Sequence, residues 1–402
     1  MHNSQLLDKY RLSLPLSKSV RARELVLDAL NGREIEIEDE NDDIFVLSRA
    51  LYNAQCTMHN AQLSDVSDNS QLSTFNFQLS TLNLNASGTA LRFLTAFCAV
   101  KKGEFVLMGS KRLYERPIRP LVDALRGMGA DIEYVDKEGF APLRIRGKAL
   151  RGGRVRLDAS LSSQFASALM LISDKVDGGI EIKYEGDVAS QSYIRLTQDV
   201  IEKYRSGVRY SGERDWSSAT VWYAAMAVMK EGRIMLEGLS LESSQPDRRI
   251  VEVFEKMGVV TMEEENGVEI ECGGCVVDKL VLDCKCMPDA VMYIAVAACL
   301  LGIEFEISGV ETLRVKESDR IEALITEMRK CGYALKYDGM GKICWLGEEC
   351  KKEEKPKIET YNDHRMAMAM AVVGLVMDIE IENPGVVNKS YPKFWEEMRK
   401  IK

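Results

Sequence analysis

The chain has 402 residues, 46% of them hydrophobic and 29% charged, with a formal net charge of −9. That length exceeds the roughly 250–300 residues at which single cores split, so two domains are expected. The acidic balance argues against a general nucleic-acid binder but leaves room for a local basic pocket. No apolar run reaches the roughly 18 uncharged residues of a membrane span. The opening MHNSQLLDKYRLSLPLSKS lacks the basic-then-apolar layout of a signal peptide, so the cytoplasm is the expected location.

In chain order, RLSLP at 11–15 reads as an edge strand, and Ser17-Lys18-Ser19 opens the first of six helices built to one plan. Each has a polar or small-residue turn, a helix-compatible apolar run and a strand-like stretch. The later turns are Ser-Gly-Thr at 87–89, Ser-Ser-Gln at 162–164, Asp-Trp-Ser-Ser at 215–218, Pro-Asp-Ala at 288–290 and Asn-Asp-His-Arg at 362–365. Between the first two lies 54–85, rich in Ser, Asn, Gln and Leu, with near-repeats QLSDVS, QLSTFN and QLSTLN. It reads as a low-complexity surface excursion or a divergent strand pair, outside any site.

A second element recurs between the turns: an amphipathic helix, a glycine, then a strand. The copies are RPLVDALRGMGADIEYV at 119–135, QDVIEKYRSGVRYS at 198–211, DRRIVEVFEKMGVVTMEE at 247–264 and DRIEALITEMRKCGYALKY at 319–337. Gly129, Gly207, Gly258 and Gly332 are the expected helix stops. The predicted fold class is α/β: six βαβαββ units, three per domain, as a two-domain, inside-out, barrel-like fold with helices inside and sheets outside. One domain is expected over 15–231, including Asp215–Met229. The other is discontinuous, over 1–14 and 232–402, with crossings near Pro15 and Glu231-Gly232.

Helix starts carry free N–H groups and a partly positive pole, which suit anions. Lys18, Arg23, Arg92, Arg116, Lys316, Arg320, Arg365 and Lys389 lie beside such starts. Singly, each is a solvated charge. Together, at equivalent junctions of a repeat, they point to a heavily anionic small molecule. Ser162, Ser163 and Gln164 offer donors at one start, or are simply helix caps. Ser190 and Tyr193 precede another helix. Asp289, Glu317 and Asp363 are the candidate acids and bases, and Lys316 beside Glu317 is a pair able to tune its own protonation.

Phosphate-loop, dinucleotide, HExxH and GxSxG motifs are missing. Of three histidines, only His364 occupies a plausible site. Cys272, Cys275, Cys284 and Cys286 cluster, but only the first pair has zinc-knuckle spacing, so free thiols are expected.

These residues carry a resemblance to the enolpyruvyl transferases, on the branch that uses shikimate 3-phosphate. The matching strings include LPLSKSVRAR at 14–23, ASGTALRFL at 86–94, ERPIRPLVDALRGMGA at 115–130 and LSSQFASALM at 161–170. DWSSA at 215–219, PDA at 288–290, LRVKESDRI at 313–321, YNDHRMAMAMA at 361–371 and VNKSYPKFW at 387–395 complete the series. The resemblance implies transfer of the carboxyvinyl group of phosphoenolpyruvate (PEP) to the 5-hydroxyl of shikimate 3-phosphate. It implies no cofactor, no metal, no nucleic-acid or membrane partner, and a monomer.

By position, it implies shikimate 3-phosphate contacts from Lys18, Ser19, Arg23, Ser162, Ser163, Gln164, Ser190, Tyr193, Asp289 and Lys316. It implies PEP contacts from Lys18, Gly88, Arg116, Gln164, Arg320, Arg365 and Lys389. Asp289, Glu317, Lys316 and Lys18 are the implied catalytic residues. Glu317 would move protons to and from the PEP-derived carbon, with Lys316 or Asp289 as base for the 5-hydroxyl. Positive side chains from both halves are expected to hold the two repelling substrates.

The chain departs from the family pattern at Leu16, Arg21-Ala22, Ala86, Ser192 and Thr312, and Arg21 either adds a cation near the cleft or faces solvent. Two rival readings remain: transfer to a UDP-linked amino sugar, against which GSKRLYERP at 109–117 lacks a cysteine, and an inactive anion-binding scaffold.

Overall fold

The structure, a computed structural model, describes residues 9–38, 41–66, 79–186, 191–208, 212–229 and 231–402. Its elements begin with β1 (Lys9–Ser13), α1 (Lys18–Leu30), α2 (Asp42–Val66), β2 (Leu79–Asn83), α3 (Gly88–Val100) and β3 (Gly103–Met108). There follow α4 (Arg119–Gly127), β4 (Asp131–Tyr134), β5 (Leu143–Gly147), β6 (Arg151–Asp158), α5 (Gln164–Ile172), β7 (Asp177–Glu185) and α6 (Gln191–Arg205). Next are α7 (Trp216–Met229), β8 (Arg233–Glu237), α8 (Ile250–Glu255), β9 (Met257–Glu264), β10 (Gly267–Val276), β11 (Lys279–Asp283), α9 (Val291–Leu301) and β12 (Glu304–Ser308). The chain closes with α10 (Arg320–Lys330), β13 (Lys336–Tyr337), β14 (Lys342–Trp345), β15 (Lys357–Ile358), α11 (His364–Val373), β16 (Glu380–Ile381) and α12 (Phe394–Ile401).

Three four-stranded sheets share one order: β1-β8-β10-β9, β2-β3-β5-β4 and β11-β12-β14-β13. In each, the first two strands run parallel and the last two form an antiparallel hairpin against the second. Each sheet with its two helices is thus a βαβαββ copy. Two further sheets, β6-β7 and β15-β16, are parallel pairs alone.

The chain divides into two compact units, Ser19–Tyr210 and Met1–Lys18 with Ser211–Lys402. The boundary differs from the one expected at Glu231-Gly232, because α7 belongs with the discontinuous unit. Parallel strands need a crossover between them, and α7 is the crossover from β1 to β8. Asp215–Met229 therefore packs with the later helices. Lys18 also falls on that side of the division.

Within the discontinuous unit, α7, α9 and α11 pack on one another and are buried almost end to end. Sequences such as ATVWYAAMAV and VMYIAVAA are apolar on every face, and such helices need cover on every face. In the other unit, α3 packs on α5, and both share one hydrophobic core with the largely buried α1. The four expected helix stops adopt positive φ: 96° at Gly129, 80° at Gly207, 88° at Gly258 and 102° at Gly332. A side chain there would be strained, so glycine lets the chain leave the helix, into a strand after Gly129, Gly258 and Gly332; the strand expected after Gly207 falls partly outside the described residues.

The reading of 54–85 is corrected. Its first part continues α2, and its end forms β2, paired in register with β3. Residues 67–78 lie outside the described residues. Asn and Ser weakened the helix signal there, while Ile44, Leu47, Leu51 and Ala54 supply the buried stripe that holds α2 down. Among the described residues, no helix is long and apolar enough to cross a membrane, and no group of side chains is arranged to hold a metal ion.

Candidate active site

In the discontinuous unit, the starts of α9, α10 and α11 bring charged side chains into one network. Asp319 caps α10 by accepting from Glu322 N at 3.3 Å, which places Arg320 as the first helical residue. Arg320 donates from Nη1 to Asp289 Oδ1 at 2.8 Å and from Nη2 to Glu317 Oε2 at 2.8 Å. Its Nε reaches Asp363 Oδ2 at 2.7 Å. Asp363 in turn caps α11, accepting from Arg365 N at 3.0 Å, and takes a further bond from Ser318 Oγ at 3.0 Å. Arg365 Nη2 and Lys316 Nζ approach Asp289 at 3.2 and 3.3 Å, and Lys389 Nζ approaches Glu317 Oε1 at 3.3 Å.

Burial sets the energetics of this network. It disfavours the charged form of Asp289, but Arg365, Lys316 and Arg320 outweigh it and hold that carboxyl well below the usual range. Burial likewise works against the Arg320 proton. Asp363, Glu317 and Asp289 reverse the effect and raise the group above its ordinary value. Arg365 is raised in the same way, mainly by Asp289.

Asp247 accepts from Ser217 Oγ, and burial and neighbouring Asp289 push its carboxyl up to about 6. Asp215, also raised by burial, caps α7 by accepting from Ser218 N at 2.9 Å and Ser218 Oγ at 2.7 Å. His364 is 1% exposed, and burial, Lys18 and Arg365 lower it well below its ordinary value, so the imidazole is neutral. The charge of Lys18 thus acts on both Asp215 and His364.

In the other unit, Gly88 is the first residue of α3, and a Cβ there would collide with the guanidinium groups of Arg92 and Arg116. Arg92 donates to Pro117 O at 3.1 Å and Arg116 to Ala86 O at 3.4 Å. Gln164 Nε2 donates to Thr89 Oγ1 at 3.0 Å, tying the start of α5 to the start of α3. Ser162 Oγ accepts from Gln164 N at 3.3 Å, whereas Ser163, at the cap position, makes no capping side-chain bond. Capping therefore explains one serine of the pair.

Arg23 is 3% exposed and lies 5.5 Å over the Phe93 ring. Its guanidinium donates to Thr197 Oγ1 at 2.7 Å, Ser19 O at 2.5 Å, Ser167 Oγ at 3.2 Å and Tyr193 O at 3.4 Å. Burial lowers it to about 10. Arg21 is paired with Glu38 at 3.0 Å and Glu24 at 3.2 Å, so it supplies no further site cation.

The sequence-derived residues therefore fall into two sets. Lys18, Asp289, Lys316, Glu317, Arg320, Arg365 and Lys389 lie in the discontinuous unit, and Ser19, Arg23, Gly88, Arg116, Ser162, Ser163, Gln164 and Tyr193 in the other. Ser190 lies outside the described residues. Sequence reasoning missed Asp215, Asp247 and Ser217 as members of the charged network. Asp247-Arg248 repeats Asp319-Arg320 at the equivalent junction of another βαβαββ copy, and that repetition was the available signal.

A sequence model of EPSP synthase (3-phosphoshikimate 1-carboxyvinyltransferase) matches residues 9–398. The chain belongs to the EPSP synthase family. Among curated EPSP synthases, the 3-phosphoshikimate 1-carboxyvinyltransferase of Bacteroides fragilis (strain YCH46) is 35% identical over 413 residues, spanning 98% of this chain and 95% of the relative. That of Haemophilus influenzae (strain ATCC 51907 / DSM 11121 / KW20 / Rd) is 35% identical over 421 residues, spanning 97% of this chain and 96% of the relative. A solved EPSP synthase from Acinetobacter baumannii is similar in fold, with a TM-score of 0.68 at 20% identity over 98% of this chain and 96% of that one.

Proposed function

We propose that this chain transfers the enolpyruvyl group of PEP to the 5-hydroxyl of shikimate 3-phosphate and releases phosphate. The observation that carries the reading is the Arg320 fork on Asp289, Glu317 and Asp363, with Arg365, Lys316 and Lys389 around it, in a chain of the EPSP synthase family. The network matches an addition–elimination that must place anions together and move protons between them.

In this reading, Arg320, Arg365, Lys389, Lys18, Arg116, Gly88 and Gln164 hold PEP. Two phosphates and two carboxylates repel one another by about 4 kcal/mol per close pair at intermediate dielectric, and these cations offset that cost. Lys18, Ser19, Arg23, Ser162, Ser163, Gln164, Ser190 and Tyr193 hold shikimate 3-phosphate, with Asp289 and Lys316 at its 5-hydroxyl. The Asp289 carboxylate, held ionised by Arg365, Lys316 and Arg320, is placed to accept a hydrogen bond from that hydroxyl, with Lys316 or Asp289 as its base.

The 5-oxygen bonds to C2 of PEP as C3 gains a proton, giving a tetrahedral ketal phosphate. Loss of a proton from the new methyl group expels phosphate and restores the double bond. Glu317, ionised between Arg320 and Lys389 here, must first take up a proton from solvent, which it then gives to C3, and it recovers one from the new methyl group. The steps balance without a cofactor.

The architecture supports a six-unit, inside-out reading, three units per domain. Three complete βαβαββ copies and two reduced ones account for five units, and α1 with α2 stands as the sixth. The expected location is the cytoplasm. Phosphate release from PEP, measured with shikimate 3-phosphate and separately with a UDP-linked amino sugar, tests the reading. Release with the first alone supports it, release with the second alone moves the chain to the sister reaction, and release with neither leaves an inactive scaffold.

A further inference from the structure

The unit Ser19–Tyr210 buries two hydroxyls that the proposed chemistry does not use. Ser167 in α5 and Thr197 in α6 are each 0% exposed, on faces otherwise formed by residues such as Phe165, Leu169, Ile194 and Val200. A buried hydroxyl is costly unless it is hydrogen-bonded. Thr197 Oγ1 meets that need alone, by donating to Tyr193 O at 2.8 Å, one turn back in α6. It nevertheless accepts from Arg23 Nε at 2.7 Å and lies 2.7 Å from Ser167 Oγ.

Proton counting fixes the direction of each bond. Thr197 has one hydroxyl proton, committed to Tyr193 O, so the proton between the two hydroxyls belongs to Ser167. Ser167 Oγ then accepts from Arg23 Nη2 at 3.2 Å. The other Nη2 proton reaches Tyr193 O at 3.4 Å, and one Nη1 proton reaches Ser19 O at 2.5 Å. A guanidinium has five N–H groups. Four are used, and among the described residues the fifth, on Nη1 beside Ser19, has no acceptor.

We infer that Ser167 and Thr197 are positioning residues: together they fix the rotation of the Arg23 guanidinium so that its one remaining N–H is presented to an anionic oxygen of shikimate 3-phosphate. This rests on the reading that Arg23 holds that substrate. The two carbonyls engage only the Nη atoms, and Thr197 Oγ1 is the acceptor that Nε meets among the described residues. An arginine side chain has several rotatable bonds, and holding it in one setting before the ligand arrives removes an ordering cost from binding. Hydroxyls suit this task where a carboxylate would not. They anchor the guanidinium without neutralising it, so its charge is left for the ligand.

Calorimetry of shikimate 3-phosphate binding to the full chain is the test, with steady-state kinetics beside it. Thr197→Val keeps the shape and removes the acceptor, leaving Arg23 Nε unpaired. It is expected to weaken shikimate 3-phosphate by about tenfold and to raise its KM in step, with kcat and the KM for PEP within about twofold of the wild type. Thr197→Ser restores the oxygen and should recover affinity to within about twofold. Ser167→Ala, a milder deletion, should weaken the same ligand by about threefold. The deciding measurement is Thr197→Val in an Arg23→Ala background. There it should change affinity by less than about twofold, because no guanidinium is left to aim. A full loss that persists in that background, a loss that Thr197→Ser does not rescue, or one that falls equally on PEP makes the hydroxyls packing groups and overturns the inference. So does normal affinity in Thr197→Val where Arg23→Ala binds weakly. Normal affinity in Arg23→Ala is a different failure: it removes Arg23 from the substrate, and the inference falls with that reading.

Discussion

Arg320 and Arg23 are buried to almost the same depth, 1% and 3% exposed, one in each unit, and they are held by opposite chemistry. Arg320 lies among three carboxylates, which keep it charged against burial. Arg23 is bonded by two hydroxyls and two carbonyls, and burial pulls it down to about 10. A guanidinium with three anionic neighbours has its charge balanced inside the protein. One held by neutral oxygens keeps a net positive field for something that arrives. The same residue type thus sits in a charge-balanced network in one unit and among neutral acceptors in the other.

Glu317→Gln attacks the balanced side and carries the largest expected effect. The amide still accepts from Arg320 but transfers no proton, so kcat is expected to fall by about 10²–10⁴-fold. Binding of shikimate 3-phosphate, followed by calorimetry, should stay within about twofold. Near-normal turnover removes Glu317 from the chemistry and leaves the network structural.

Arg23→Ala attacks the other side. Losing a buried charged donor costs about 1.5–3 kcal/mol, which corresponds to weakening of shikimate 3-phosphate by roughly ten- to a hundredfold. PEP affinity should change less. Unchanged affinity for shikimate 3-phosphate by calorimetry would show that Arg23 only knits α1 to α5 and α6, and the contrast between the units would lose its functional meaning.

Asp247→Asn sharpens the contrast from within the balanced network, through stability. The Asp247 carboxyl is raised from 3.8 to about 6 in the folded protein. A raised carboxyl favours folding below its unfolded value, and that contribution is lost as pH climbs through the folded value. The substitution removes a charge that is costly above pH 6. The variant is therefore expected to gain up to about 3 kcal/mol over the wild type at pH 8, and little near pH 4. Denaturant unfolding at the two pH values is the measurement. An equal gain at both assigns the change to packing, and a loss at pH 8 means that the Asp247 charge is needed by Arg365.

Composition and local pattern determined much of this protein. Apolar runs such as VMYIAVAA demand complete burial, glycines at 129, 207, 258 and 332 end helices, and the repeated turns mark where helix starts fall. These are short-range signals, written within a turn or two of helix. The tertiary structure alone decided three things. It assigned α7 to the discontinuous unit, because a crossover helix follows its strands β1 and β8, which are separated by the whole of the other unit. It drew Asp215 and Asp247 into the charged network, since burial and distance, not sequence, fix how strongly carboxylates interact. And it separated Arg23 from Arg320, two cations that look alike in the chain and differ only in which oxygens the fold delivers to them.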